Sequence, residues 1–131
     1  MDGYHSTLQA ARARITEITA EQLNPDDGVV IDVRRPHEHA LGLIPNAVAM
    51  PMERLLDSIT AVAPDRTGSI VLYCAVGERS AIAAASLEDA GYTNVVSLAG
   101  GIKRWMALGY PTMSEAGLTE SRRQRYARHI V

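Results

Sequence analysis

Three short apolar runs constrain this chain more than any other feature: Val29-Val30-Ile31-Asp32-Val33, Ile70-Val71-Leu72-Tyr73 and Val95-Val96-Ser97-Leu98. They lack the strict apolar/polar alternation of a strand with one wet face. Near-continuous runs of four or five residues suit strands covered on both faces, as in a parallel sheet. Turn residues and a helical pattern follow each run. Strands alternating with helices imply βα units, parallel pairing and right-handed crossovers. The expected fold class is therefore α/β, with a mainly parallel central sheet flanked by helices on both faces.

The punctuation between the runs supports this reading. Residues 1–13 are a weakly patterned lead-in, either mobile or carrying a short helix around Leu8–Arg14. Arg14 to Ile18 alternates like a short strand. Thr19-Ala20-Glu21-Gln22 has the form of a capping box, in which Thr19 and Gln22 satisfy each other's backbone amides. Asn24-Pro25-Asp26-Asp27-Gly28 is a turn signal. Pro36 opens a short helix, about His37–Leu41, that Gly42 stops. Ala47–Met50 is a short strand closed by Pro51, and Met52–Val62 has helical apolar spacing. The Ala-rich pattern from Ala81 to Ala90 is a helix with Gly91 at its C-terminal cap. A last helix, Ile102–Leu108, ends at Gly109 and Pro111.

The length of 131 residues fits one domain with a real core. A net charge of −2 gives no case for nucleic acid or a membrane surface as partner. No apolar run approaches the ~20 residues that a membrane span needs. The N-terminus has neither the basic nor the apolar region of a secretory signal. The single cysteine cannot form an internal disulfide, which suits a reducing cytoplasm. It also means that a second thiol, if the chemistry needs one, comes from a partner.

That cysteine carries the functional reading. Cys74 stands at the carboxyl end of a buried strand, and Ala75-Val76-Gly77-Glu78-Arg79-Ser80 leads from it into a helix. Backbone N–H groups at a helix start lack intrahelical partners and favour an anion. A thiolate is such an anion, and so is a persulfide. Cysteine reacts as the thiolate. Asp32 and Arg34 end a second strand, and Gly100-Gly101 ends a third. In open α/β sheets ligands bind outside the carboxyl ends of strands, so these groups converge where a site is expected.

Taken together, these segments resemble the rhodanese-like sulfurtransferases. The matching stretches are Ile15-Thr16-Glu17-Ile18-Thr19, Ile31-Asp32-Val33-Arg34 with Pro36 and Glu38, Ile44-Pro45-Asn46-Ala47, the Cys74–Ser80 loop, and Leu98-Ala99-Gly100-Gly101 before Trp105. The resemblance spans about residues 14–112, and the domain is taken as 14–114. Arg35 replaces a frequent acid of the family, and Leu43 replaces the histidine of a common Gly-His-Ile-Pro. The resemblance implies a rhodanese-like fold and sulfur transfer without a cofactor or metal. A donor, thiosulfate or a desulfurase persulfide, would load a sulfane sulfur onto Cys74, and a thiophilic acceptor would remove it. The amides of residues 75–80 would hold the terminal sulfur anion. Gly77 lets the loop turn. Arg79 would either attract an anionic donor or brace the loop. Asp32 and Arg34 would hold the loop by a buried ion pair. Fold relatives that are phosphatases use Cys-x5-Arg, whereas Cys74 to Arg79 is Cys-x4-Arg, a loop better sized for sulfur than for phosphate. A non-catalytic docking module is the other alternative, although it has no need of the cysteine.

Other residues receive plainer readings. Glu78 is a solvated loop charge. His37 and His39 are surface residues, too badly spaced to share a metal. Gly100-Gly101 is a strand-to-helix turn, and Trp105 with Met106 fills core or interface. The tail, 115–131, reads as a partial helix with Arg122, Arg125 and Arg128 at spacing three. Leu118-Thr119 and Arg125-Tyr126-Ala127-Arg128-His129-Ile130-Val131 resemble the opening of adenylyltransferases that activate ubiquitin-like sulfur carrier proteins. That resemblance implies a fusion truncated inside its second domain, with a sulfur carrier protein as possible partner. No Gly-rich nucleotide loop is present, so ATP binding is not expected of this chain.

Overall fold

A computed structural model describes residues 3–114. The expectations for 115–131 lie outside the described residues. The elements run α1 (Gly3–Arg14), β1 (Thr16–Ile18), a one-turn 3-10 helix (Ala20–Gln22), β2 (Val29–Asp32), α2 (Pro36–His39), β3 (Val48–Ala49), α3 (Met52–Val62), β4 (Ile70–Tyr73), α4 (Glu78–Asp89), β5 (Val95–Leu98) and α5 (Gly101–Ala107). The five strands form one sheet in the order β1-β5-β4-β2-β3, with every pair parallel.

The apolar runs take the three central places. β4 lies in the middle, and all four of its residues are buried. Successive side chains alternate between faces. Ile70 and Leu72 join Leu55, Ile59, Ala83, Ala84 and Leu87 of α3 and α4. Val71 and Tyr73 join Leu43, Ile44, Ile102 and Trp105 on the opposite face. The expectation of an α/β fold with a doubly covered parallel sheet is met. Among the described residues, no helix is long and apolar enough to cross a membrane.

The capping box at Thr19 is present: Thr19 Oγ1 accepts the Gln22 N–H, and Gln22 Oε1 accepts the Thr19 N–H. Differences from the sequence reading are local. α1 is longer than the short helix expected over Leu8–Arg14, and it packs on α4 with Leu8 and Ala11 buried. Its apolar signal is faint because it buries few side chains, Leu8 and Ala11, against an Ala-rich partner. His39 corrects a second expectation. It is buried, 3% exposed, and not on the surface. Residues two apart lie on nearly opposite sides of a helix, so when His37 faces solvent His39 turns inward. Its Nε2 lies 3.4 Å from Asp32 Oδ1.

Candidate active site

β4 delivers Cys74 under a short loop. Gly77 adopts φ +99°, a left-handed conformation that a side chain would strain, and acts as the N-cap of α4. This turn is sharper than the sequence suggests. α4 begins at Glu78 and not near Ala81, so Glu78, Arg79 and Ser80 form its first turn. The Cys74 sulfur accepts the Gly77 N–H at 3.1 Å and the Ser80 N–H at 3.4 Å. Ser80 Oγ is 3.5 Å away and hydrogen-bonds Ser97 Oγ at 2.8 Å. Cys74 is 1% exposed, so a reactant must bring its own atom into the loop.

The back of the loop is held by α5. The Ile102 N–H donates to the Cys74 carbonyl at 2.9 Å, and the Lys103 N–H donates to the Ala75 carbonyl at 3.1 Å. These are N–H groups of the first turn of α5, which have no partner inside that helix. The approach is possible only because residue 101 is glycine. A Cβ there would run into the carbonyl oxygens of both Cys74 and Ala75, and φ is +58°. Gly100-Gly101 is thus a strand-to-helix turn, as expected, and also the seat of the loop.

The charged residues brace the site. Asp32 and Arg34 form a buried ion pair, with Arg34 Nη2 2.7 Å from Asp32 Oδ2. Burial alone would lower the Arg34 guanidinium, but hydrogen bonding and charge from Asp32 outweigh it and raise it. The expectation that this pair holds the Cys74 loop needs correcting in its detail. The same Nη2 of Arg34 also donates to the Gly42 carbonyl at 2.6 Å, so the pair fixes the segment after β2. That segment reaches the loop through another residue. Glu38 of α2 takes both terminal nitrogens of Arg79, at 2.7 and 2.9 Å. Of the two roles open to Arg79, the geometry shows bracing. Its hydrogen bonds draw the Glu38 carboxyl down to about 2, against burial, and Glu38 raises the Arg79 guanidinium in return. Glu78 and Val76 are exposed at the mouth, and Ala75 is partly covered.

Three contributors escaped the sequence reading: Ser97, the Glu38–Arg79 clamp and the α5 amides. Ser97 is the one polar residue in its apolar strand, which was a usable signal. The other two depend on contacts between distant segments.

Residues 16–108 match the family described as Rhodanese-like domain. The chain is 35% identical over 108 residues to a sulfurtransferase of Allochromatium vinosum, covering 79% of this chain and 99% of that protein. It is 34% identical to the thiosulfate sulfurtransferase GlpE of Ectopseudomonas mendocina, covering 82% and 95%. Among solved structures, it superposes on a Rhodopseudomonas palustris protein of unknown function, described as a possible tyrosine phosphatase. The TM-score is 0.76 at 28% identity, covering 85% of this chain and 94% of the other. A Pseudomonas aeruginosa thiosulfate sulfurtransferase gives a TM-score of 0.75 at 26% identity, covering 85% and 22%.

Two predictions follow from the bracing. Gly101→Ala forces the α5 amides off the loop carbonyls. The expected result is a loss of at least about 1–3 kcal/mol in denaturant unfolding, from strain at positive φ and unsatisfied carbonyls. Glu38 titrates lower when folded than its ordinary value of 4.5. A depressed carboxyl contributes stability that is complete above its unfolded pKa and disappears as pH falls through the folded one. Stability should therefore drop between pH 4.5 and about 2. Glu38→Gln should flatten that part of the curve when unfolding midpoints are measured against pH.

Proposed function

We propose, because the chain belongs to the rhodanese-like domain family, that it is a sulfurtransferase carrying sulfane sulfur as a persulfide on Cys74. The observation that carries this reading is the sulfur of Cys74 facing the Gly77 and Ser80 amides. Loading is attack of the Cys74 thiolate on the outer sulfur of a donor such as thiosulfate. The new S–S bond forms, the donor's S–S bond breaks, and sulfite leaves with the electron pair. A thiophilic acceptor then attacks the terminal sulfur and restores the thiolate. The loop N–H groups stabilise the anionic sulfur in both halves, with no reorganisation needed at the moment of reaction. Gly77, Ser80 and their neighbours 75, 76, 78 and 79 form the binding loop. Asp32, Arg34, Glu38 and Arg79 keep it in shape.

Phosphatase chemistry is disfavoured by the same loop. Its arginine is turned to Glu38 by two hydrogen bonds, where a phosphate site would need it facing the anion.

In the finer reading, a desulfurase persulfide is the alternative donor and a ubiquitin-like sulfur carrier protein is the acceptor, as in thiocarboxylate formation in the cytoplasm. The sequence of residues 118–131, with its likeness to carrier-activating adenylyltransferases, supports the acceptor. The lone cysteine supports a reducing compartment.

Mass spectrometry after incubation with thiosulfate is the test. The expected product is the protein plus one sulfur atom, reversed by dithiothreitol or cyanide and absent in Cys74→Ser. A protein that takes no sulfur from thiosulfate or from a persulfide donor is a docking module. Turnover of an aryl phosphate would instead restore the phosphatase reading.

A further inference from the structure

α1 precedes residues 16–108, the part of the chain that matches the family, and runs parallel to α4. The direction is set by which residues meet. At the C-terminal ends Arg14 pairs with Asp89 at 2.7 Å, an offset of 75 residues. Ala11 with Ser86, and Thr7 with Ile82, line the groove between the two helices at that same offset. Both helices rise at the same rate per residue. The register therefore brings Tyr4 beside Arg79, in the first turn of α4. Cα–Cβ bonds tilt toward a helix's N-terminus, so from the second residue of α1 the ring leans toward the Cys74 loop. The electrostatics agree. Burial first, then the charges of Glu78 and Cys74, raise the Tyr4 phenol above its ordinary value, with Arg79 opposing. Tyr4 is 52% exposed, so it faces whatever approaches the loop.

Such a residue meets a chemical need. The loop amides address a sulfur atom, but a donor such as thiosulfate also brings an anionic sulfonate end. Within residues 75–80 the one cation is Arg79, whose terminal nitrogens are engaged by Glu38, and the neighbouring Glu78 is acidic.

We propose that Tyr4 is a specificity-determining residue of the sulfur site, its phenol O–H standing at the mouth of the Cys74 loop and donating to the anionic end of the sulfur donor. This rests on the sulfurtransferase reading. As the thiolate attacks the outer sulfur of thiosulfate, the S–S bond of the donor breaks and its electron pair leaves on sulfite. Negative charge grows on the sulfite oxygens, and there the O–H donates.

Tyr4→Phe keeps the half-exposed ring and removes only the O–H. With the full chain, kcat/KM for thiosulfate should fall about tenfold, the size of one hydrogen bond to a charged group. With a neutral dialkyl trisulfide as donor it should not change: there the thiolate displaces an alkanethiolate to give an alkyl trisulfide of Cys74, which a thiol acceptor cleaves to the persulfide and an alkyl disulfide. A second measurement needs no sulfur transfer: the rate of Cys74 alkylation by anionic iodoacetate relative to neutral iodoacetamide, which should also fall in Tyr4→Phe. Unchanged donor preference together with an unchanged alkylation ratio overturns the role of Tyr4. Wild-type protein that takes sulfur from neither donor overturns the sulfurtransferase reading instead, and the alkylation ratio then decides the placement of Tyr4 by itself.

Discussion

Two backbone hydrogen bonds hold the Cys74 loop from behind, and the rest of the site depends on them. The first turn of α5 donates N–H groups to the carbonyls of Cys74 and Ala75. In a trans peptide, the N–H of the next residue points opposite to the carbonyl. Fixing those carbonyls toward α5 turns the amides of Ala75 and Val76 away from it, and further along the loop the Gly77 and Ser80 amides face the sulfur. The groups facing the sulfur are thus backbone amides, and the loop's arginine is turned to Glu38. Gly101 is the condition for this, since any Cβ would stand between helix and loop.

Charge has a different task. Asp32 and Arg34 hold Gly42, and Glu38 in the same segment holds Arg79, so two ion pairs tie the end of β2 to the first turn of α4. Burying an ion pair is expensive, and removing one partner leaves the other uncompensated. Such a network therefore favours one arrangement of the segment between β2 and β3 over its alternatives. The bidentate clamp on Arg79 then holds the outer side of the loop, as α5 holds the inner side. The loop is held between two independent supports, which suits the proposed role of keeping one shape with or without a bound sulfur.

The fold was legible because its signal is local. Val29–Val33, Ile70–Tyr73 and Val95–Leu98 each announce a strand covered on both faces, and all three take central places in the sheet. Cys74 and the residues around it were legible because strand, loop and helix are contiguous. What the sequence concealed is tertiary. Glu38 and Arg79 are 41 residues apart, and the amides of α5 carry no side-chain signature. The burial of His39 is not visible in sequence because its inward turn depends on where Asp32 lies. α1 has a faint sequence signal because an Ala-rich interface leaves little apolar contrast, and its parallel register against α4 rests on a tertiary pair, Arg14 with Asp89.

In the proposed site, backbone amides of a loop held by α5 receive the sulfur. A crystal structure of the sulfur-loaded protein tests this most directly. The expected structure has a terminal sulfur bonded to Cys74 inside the loop, within hydrogen-bond reach of the amides between Val76 and Ser80, with both α5 bonds to the loop carbonyls intact. A terminal sulfur directed to solvent, or held by the Arg79 guanidinium after release from Glu38, would contradict it.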